Sequence, residues 1–132
     1  VNRPQIAVAG LNPHAGDGGN FGGEEIDIIV PAVNKLRDMR ISVHGPLPSD
    51  TIFLKARARE VDGVVTMYHD QGQIALKLMG FDRGVTVHGG LPFPITTPAH
   101  GSAFDIAGMG KADCGATTAA FGVACDLISS AT

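Results

Sequence analysis

The sequence predicts a layered α/β/α fold with a largely parallel sheet. Short apolar runs alternate along the chain with longer segments whose apolar residues recur at helical spacing. These runs are continuous rather than alternating, which is typical of strands buried on both faces. Of the 132 residues, 18 are glycine and 8 are proline, and many of them mark turns between the segments. The resulting order βαβαβα is typical of a layered domain with parallel strands.

The first predicted elements are a buried strand and an amphipathic helix joined by a glycine-rich loop. Residues 5–11 (QIAVAGL) form the strand, and residues 12–23 form the loop. From Glu24 onward the apolar residues fall on one helical face, with Glu24 and Glu25 in the first turn, as the helix dipole prefers. Pro31 requires this helix either to kink there or to start just before it.

The rest of the chain continues this alternation. The predicted elements are a strand at 41–43, a turn at 45–48, a helix at 51–60, a strand at 63–68, a helix at 70–79, extended segments at 85–88 and 91–97, and a helix at 112–129. Ser49 or Asp50 is expected to cap the helix at 51–60. Ala119, Val123 and Leu127 are expected to share one face of the last helix.

Composition excludes several functional classes. The net charge is −3, so there is no basic field for nucleic acid. No apolar run approaches the roughly 20 residues of a membrane span, and the first residues do not resemble a signal peptide. Cys114 and Cys125 have neither disulfide-framework nor zinc-type spacing, which favours a reducing, cytoplasmic setting. The chain starts directly in a strand-like stretch without Met, which suggests a piece of a longer protein.

Three loops that follow predicted strands each combine glycine with one histidine. They are residues 12–19, 69–72 and 98–102, which carry His14, His69 and His100. Ligands in open α/β sheets bind at the carboxyl ends of strands, and histidine is the commonest metal ligand and proton carrier. The alternative is that each histidine is an ordinary turn or surface residue. His88 has no partner in the sequence and is interpreted as structural.

The third loop also suggests a nucleotide. Asp105 could accept both hydroxyls of an adenine-nucleotide ribose, which favours NAD over a 2′-phosphorylated cofactor. The alternative is an ordinary loop in which Asp105 caps a helix. Similarly, Asp50 alone would be a helix cap, and Lys77 alone a solvated surface residue.

Three segments resemble those of a known family. Residues 10–16 (GLNPHAG), 45–51 (GPLPSDT) and 67–72 (MYHDQG) resemble signature segments of the 4-hydroxythreonine-4-phosphate dehydrogenases of pyridoxal phosphate biosynthesis. Residues 100–113 resemble the nucleotide loop of the related isopropylmalate and isocitrate dehydrogenases. The resemblance covers essentially the whole chain. It implies an isocitrate/isopropylmalate dehydrogenase-like fold, with residues 1–132 forming one α/β domain, the carboxyl-terminal part of a longer two-domain dehydrogenase.

The resemblance also implies a metal and substrate site. His14 and His69 match two of three metal-binding histidines, and the third lies upstream of this chain. In the family the site lies at a homodimer interface and takes ligands from both subunits. The metal would be zinc, or magnesium, cobalt or manganese. Asp50 and Asp70 match catalytic acidic residues near the substrate, and Lys77 matches a catalytic, substrate-contacting lysine.

The nucleotide and substrate positions include departures from the family pattern. The residues that match the NAD-binding segment are His100, Gly101, Ser102, Asp105, Ile106 and Asp113. At the substrate positions, Thr86 stands where these enzymes usually have Asn, and Ile95 where they have Arg. Since Arg is the natural bidentate partner of phosphate, its loss bears on the substrate. Asp113-Cys114 also replaces the Asn-Pro common in isopropylmalate enzymes.

The expected function is NAD- and metal-dependent oxidation, with decarboxylation, of 4-hydroxythreonine 4-phosphate or a closely related small hydroxy acid. A first alternative is a dehydrogenase of another substrate, such as a cis-dihydrodiol carboxylate or a threonate-type phosphate. A second is that these 132 residues, by themselves, form a non-catalytic dimerising module.

Overall fold

The computed structural model describes residues 1–130, which divide into two compact units, residues 1–73 and residues 74–130. Helix α3, His69–Gly80, begins in the first unit and continues into the second. The expectation that residues 1–132 form one domain of a longer two-domain dehydrogenase stays a prediction. Within residues 1–130 no helix combines the length and apolar character needed to cross a membrane.

The first unit contains a three-stranded parallel sheet. Its strands are β1 (Ile6–Ala9), β2 (Val43–Leu47) and β3 (Gly63–Val65), in the order β2-β1-β3. Ile6 of the central strand pairs with Val43 on one side and with Gly63 on the other. Three helical segments connect these strands: a π-helical turn (Glu25–Ile29), α1 (Val30–Asp38) and α2 (Ile52–Arg57). The parallel sheet predicted from the buried apolar runs is confirmed.

Two small cores lie on opposite faces of this sheet because side chains alternate along β1. On one face Val8 packs with Ile29 and Val33 of the helix before β2. On the other face the alanines of β1 pack against Ile52 of α2. Helices therefore cover both faces, and the predicted α/β/α layering is confirmed. Pro31 lies in the first turn of α1, but the backbone is already helical from Glu24 through the π-helical turn, so α1 continues an existing helical segment rather than starting one.

The turn expected at residues 45–48 is wrong, because β2 runs through Gly45 and Pro46 to Leu47. A Cβ on Gly45, whose φ is 142°, would lie 2.5 Å from the carbonyl oxygen of Val8. Gly45 therefore serves close approach between strands rather than a turn. The cap expected from Ser49 or Asp50 is also wrong: α2 starts after Thr51, without a side-chain cap.

The second unit contains a β-hairpin packed on a helix. Its strands β4 (Val85–His88) and β5 (Ile95–Pro98) pair antiparallel, since the connection is too short for a parallel crossover. Helix α4 (Gly115–Ser129) packs against the hairpin, and the Thr96 hydroxyl donates to the Ala120 carbonyl at 2.8 Å. Ala116 and Ala120 are the buried positions of α4, whereas Ala119 and Val123 are half-buried and Leu127 is exposed.

Candidate functional site

The carboxyl ends of the three parallel strands carry the residues expected to form the metal and substrate site. His14 follows β1, Asp50 follows β2, and His69 and Asp70 follow β3. Because the strands are parallel, these segments emerge from the same edge of the sheet, with β1 in the middle. All four side chains are exposed. Within residues 1–130 no three His, Cys, Asp or Glu side chains lie close enough together to hold a metal by themselves.

The loop that carries His14 is wound as a left-handed turn. It spans Pro13–Gly19, and six successive residues have positive φ, including His14 at 55°, Ala15 at 54° and Asp17 at 44°. Left-handed backbone costs an L-residue roughly 1–2 kcal/mol, and such strain concentrates at functional sites. The His14 ring packs at a tilt against Phe21, with 5.6 Å between ring centroids. Contacts from outside the loop are needed to keep this conformation.

Glu25 supplies those contacts from the helical turn that follows the loop. Its side chain is only 3% exposed. Oε1 accepts the backbone N–H of Asn12 at 2.7 Å, and Oε2 accepts the Asn12 side-chain amide at 2.9 Å. A Cβ on Gly10 would lie 3.1 Å from Oε1, and one on Gly16 would lie 2.6 Å from Oε2. The two glycines therefore make room for the carboxylate inside the loop.

The pKa of Glu25 reflects this environment. Burial raises the pKa, but hydrogen bonds from the Asn12 backbone and side chain, and from the Leu11 backbone, outweigh burial and lower it below 4.5. A lowered folded-state pKa contributes stability that is present above the unfolded value and lost as pH falls through the folded value. Glu25 is thus expected to make the first unit sensitive to acid below pH 4.5.

We expect the free energy of unfolding to fall less steeply with acid in a Glu25→Gln variant, because Gln does not titrate. Urea unfolding of wild type and variant between about pH 6 and about pH 3 checks this. Asp27→Asn is the control because it neutralises an exposed carboxylate in the same helical turn. In this variant the free energy of unfolding should fall with acid as steeply as in wild type. Identical acid slopes in wild type and Glu25→Gln would contradict the expectation.

Gln71 links the segment around His69 to the end of β1. Its side-chain carbonyl accepts the backbone N–H of Met67 at 2.8 Å, and its amide donates to the carbonyl of Gly10 at 2.9 Å. The first bond fixes the bend between β3 and α3. The second ties this bend to the residue from which the His14 loop departs. The two histidine segments are therefore connected through one side chain.

His69 and Asp70 form a contact of their own at the start of α3. The predicted loop at 69–72 is instead the first turn of this helix. His69 Nδ1 lies 2.7 Å from Asp70 Oδ1, and both side chains are more than 70% exposed, at 77% and 75%. A carboxylate oxygen accepts from Nδ1–H, and in the neutral imidazole this arrangement leaves the lone pair on Nε2. This arrangement suits a metal-ligating histidine.

In the second unit, Thr86 and Ile95 lie on the same face of the hairpin. Thr86 pairs with Thr97 and His88 with Ile95, and directly paired residues of antiparallel strands point to the same side. Thr96, on the opposite face, is the residue that bonds to α4. The two positions that depart from the family pattern thus share a surface with His88, which sequence reasoning had treated as merely structural.

The residues expected to bind NAD are distributed over the segment before α4. His100 Nδ1 lies 2.9 Å from the Gly101 carbonyl oxygen, and Gly101 and Ser102 are exposed. Asp105 lies exposed in a 3-10 turn, Phe104–Ile106, whose N-cap is Ala103, so the alternative of Asp105 as an N-cap is wrong. Asp113 Oδ1 accepts the Gly115 backbone N–H at 2.7 Å, at the start of α4.

Lys77 is exposed on α3, with Nζ 6.0 Å from the centre of the Phe81 ring. A shallow cleft of about 510 Å³ lies near the start of α4 and includes Asp113 among its lining residues. Another cleft, of about 900 Å³, lies in the first unit at the amino-terminal edge of the sheet, lined in part by Arg37 and His44. This second cleft is on the edge opposite to His14 and His69.

Sequence reasoning missed Glu25 and Gln71 as parts of the site. Glu25 was interpreted only as a helix-start acid, since acidic pairs at helix starts are common. One signal in the sequence could have identified Glu25. Gly10 and Gly16 are two residues without side chains around a polar loop, which leaves room for another side chain between them. Gln71 lies within a motif already noted. No sequence pattern showed whether its side chain forms hydrogen bonds with the backbone or points into solvent.

Comparison with known proteins decides the family. The family model for "Pyridoxal phosphate biosynthetic protein PdxA" matches residues 1–124. The chain belongs to this family. The resemblance derived from the three sequence motifs is thereby confirmed.

Individual members of the PdxA family are similar over most of this chain. A Pseudomonas aeruginosa protein that bears the name of a second 4-hydroxythreonine-4-phosphate dehydrogenase is 69% identical over 127 residues, 95% of this chain and 38% of its own. The D-threonate 4-phosphate dehydrogenase of Pectobacterium atrosepticum is 56% identical over 109 residues, 83% of this chain and 33% of its own. The chain thus spans little more than a third of these relatives.

A solved structure supports the same assignment to the PdxA family. The crystal structure of 4-hydroxythreonine-4-phosphate dehydrogenase from Klebsiella pneumoniae superimposes with a TM-score of 0.81 at 50% identity. It matches 94% of this chain, which corresponds to 38% of that chain. The α/β fold predicted from the sequence is therefore the fold of this segment of the family.

Proposed function

We propose that the full-length protein is a metal- and NAD-dependent dehydrogenase that oxidises and decarboxylates 4-hydroxythreonine 4-phosphate. One observation carries the proposal: the segments bearing His14 and His69 emerge from adjacent parallel strands at the same edge of the sheet. Gln71 joins the two segments, which favours a shared role. Family membership makes a dehydrogenase the natural reaction class.

The donor chemistry of this edge fits a divalent metal. His14 and His69 are exposed imidazoles, and Asp70 leaves Nε2 of His69 free to coordinate. Zinc is the first choice for imidazole ligands, with magnesium, cobalt or manganese as alternatives. A bound metal would polarise the substrate hydroxyl and then the carbonyl oxygen formed from it. We infer that a third histidine outside this chain and a second subunit of a homodimer complete the ligand set.

The acidic and basic residues would act on the substrate itself. Oxidation moves a hydride from the carbinol carbon to NAD and releases the hydroxyl proton, which Asp50 or Asp70 would accept. Loss of CO2 from the resulting β-keto acid leaves an electron pair at carbon, and a returning proton completes the product. Lys77 would offset the negative charge of the substrate.

The second unit would contribute the cofactor contacts. Asp105 is exposed and would accept the hydroxyls of the adenine-nucleotide ribose, which favours NAD. The other proposed contact residues are His100, Gly101, Ser102, Ile106 and Asp113. Since Asp113 already accepts a backbone N–H of α4, we infer that it shapes the nucleotide segment as well as contacting the cofactor.

We expect thorough removal of metal to abolish NAD reduction by the full-length protein, and addition of Zn²⁺ or Co²⁺ to restore it. The physical reason is the loss of charge stabilisation at the reacting oxygen. Measuring NADH absorbance before and after chelation, with metal content determined in parallel, checks this. Undiminished turnover by metal-free protein would contradict the proposal.

A second candidate substrate is a threonate-type phosphate. Ile95 stands where an arginine is expected, and Thr86 on the same hairpin face also departs from the family pattern. A relative that is 56% identical bears the name D-threonate 4-phosphate dehydrogenase, so this substrate occurs among similar proteins. Comparing kcat/KM for the two phosphates decides between them: a strong preference for 4-hydroxythreonine 4-phosphate excludes the second candidate.

A further inference from the structure

Glu25 is a buried charged residue, although the hydrophobic core gains no stability from a charge at that position. Among residues 1–130 it is the charged side chain that ranks as buried, at 3% exposure. Burying a carboxylate is costly unless its oxygens accept hydrogen bonds. A carboxylate that merely complements a helix dipole can do so from the surface, as the neighbouring exposed Glu24 can. The burial of Glu25 therefore requires a separate explanation.

The hydrogen bonds that the Glu25 carboxylate accepts from other residues come from the segment that leads into the preceding loop. Both oxygens accept hydrogen bonds from Asn12, at 2.7 Å and 2.9 Å, two residues before His14. Gly10 and Gly16 border the carboxylate so closely that a Cβ on either would press on its oxygens. The carboxylate thus lies against Gly10, Asn12 and Gly16, in the segment that includes His14.

The backbone held by this carboxylate has a strained conformation that needs contacts from outside the loop. His14 and Ala15 have φ values of 55° and 54°, in the left-handed region that side chains other than glycine disfavour. Loss of the carboxylate would free the Asn12 backbone N–H and leave the Asn12 side-chain amide bonded only to Glu24, so the turn could relax. The His14 imidazole would move with it, whereas the sheet below, held by its own hydrogen bonds, would stay in place.

We propose that Glu25 is a positioning residue that fixes the left-handed turn carrying His14 and thereby sets the affinity for the metal. This inference rests on the proposed metal site. It adds a residue that does not contact the metal and acts through the Asn12 amides.

The test is a Co²⁺ titration of the full-length protein, followed by the visible absorption of the bound ion. For Glu25→Gln we expect the dissociation constant to rise by about 10–100-fold, the usual effect of removing an outer partner of a ligand. Gln keeps one acceptor oxygen, but its NH2 group is a second donor that would face the donating amide of the Asn12 side chain. Asp27→Asn, which removes an exposed charge from the same helical turn, should keep the wild-type constant.

A purely destabilising variant separates positioning from general loss of structure. Val33→Ala weakens the core beneath the same helix, where Val33 is 2% exposed, and should lower stability without changing Co²⁺ affinity. If Glu25→Gln does not fold, Asn12→Ala removes one of the two bonds and should still weaken Co²⁺ binding, by on the order of tenfold.

Two results would overturn the inference in distinguishable ways. If wild type binds Co²⁺ and the folded Glu25→Gln variant, or Asn12→Ala in its place, binds it equally tightly, Glu25 does not position His14 and the proposed function stands. If wild-type protein itself binds no Co²⁺, the proposed metal site fails, and the role of Glu25 fails with it.

Discussion

Replacing His69 with alanine is expected to lower kcat/KM for NAD-dependent oxidation in the full-length protein by roughly 10³-fold or more. A metal at the reacting oxygen supplies several kcal/mol of charge stabilisation, and about 1.4 kcal/mol corresponds to a factor of ten in rate. In the His69–Asp70 pair, His69 Nε2 is the ring nitrogen left to coordinate a metal, so replacing His69 removes a metal ligand. His14→Ala should have an effect of the same order. Steady-state kinetics at saturating Zn²⁺ or Co²⁺ measure it.

His44 provides the control for this prediction. It is an exposed histidine of the same unit, on β2, where its Nε2 lies 3.1 Å from Gln5 Oε1. His44→Ala removes an imidazole near the amino-terminal edge of the sheet, and kcat/KM should stay within about twofold of wild type. A loss as large in His44→Ala as in His69→Ala, or near-wild-type activity in His69→Ala, contradicts the assignment.

Replacing Ile52 with alanine is expected to destabilise the protein by roughly 2–5 kcal/mol, the usual range for truncating a buried isoleucine. Ile52 is 1% exposed and begins α2. The facing strand β1 contributes only Ala7 and Ala9 to this core, so Ile52 is its large buried side chain, with half-buried Leu47, Phe53, Val61 and Val64 packed around it. Truncation leaves a cavity that two alanines cannot fill. Urea unfolding of the full-length protein, analysed for the transition that includes this unit, measures the loss.

Leu54 is the matched control on the same helix. Its side chain is 55% exposed, and Leu54→Ala should change the free energy of unfolding by about 0.5 kcal/mol or less. Equal losses in the two variants would mean that α2 does not pack on β1 as described.

The layered fold was predictable because its determinants are local in sequence. Buried strands such as β1 are continuous apolar runs, and the helix after Glu24 has a clear apolar face. The errors fall where tertiary contacts decide. Gly45-Pro46 has the composition of a turn, yet Gly45 is there because Val8 of the neighbouring strand approaches closely. The antiparallel β4–β5 pairing likewise depends on a short connection rather than on strand composition.

For the site, motifs identified residues whose chemistry is visible in their type, such as His14 and His69. Their shared edge of the sheet follows from the predicted parallel strands, whereas their position on neighbouring strands depends on strand order, which a single sequence does not contain. Glu25 and Gln71 could not be assigned, because their roles are hydrogen bonds to backbone groups distant in sequence. Gln71 reaches the carbonyl of Gly10, 61 residues away. Such contacts leave no periodic pattern.

The most direct measurement is X-ray absorption at the zinc edge of the full-length protein loaded with one equivalent of Zn²⁺. The account predicts imidazole nitrogen scattering at about 2.0–2.1 Å, with fewer imidazole ligands in His14→Gln and in His69→Gln and an unchanged spectrum in His44→Gln. A wild-type spectrum without imidazole scattering, or one that both site variants leave unaltered, would show that these two histidines do not hold the ion.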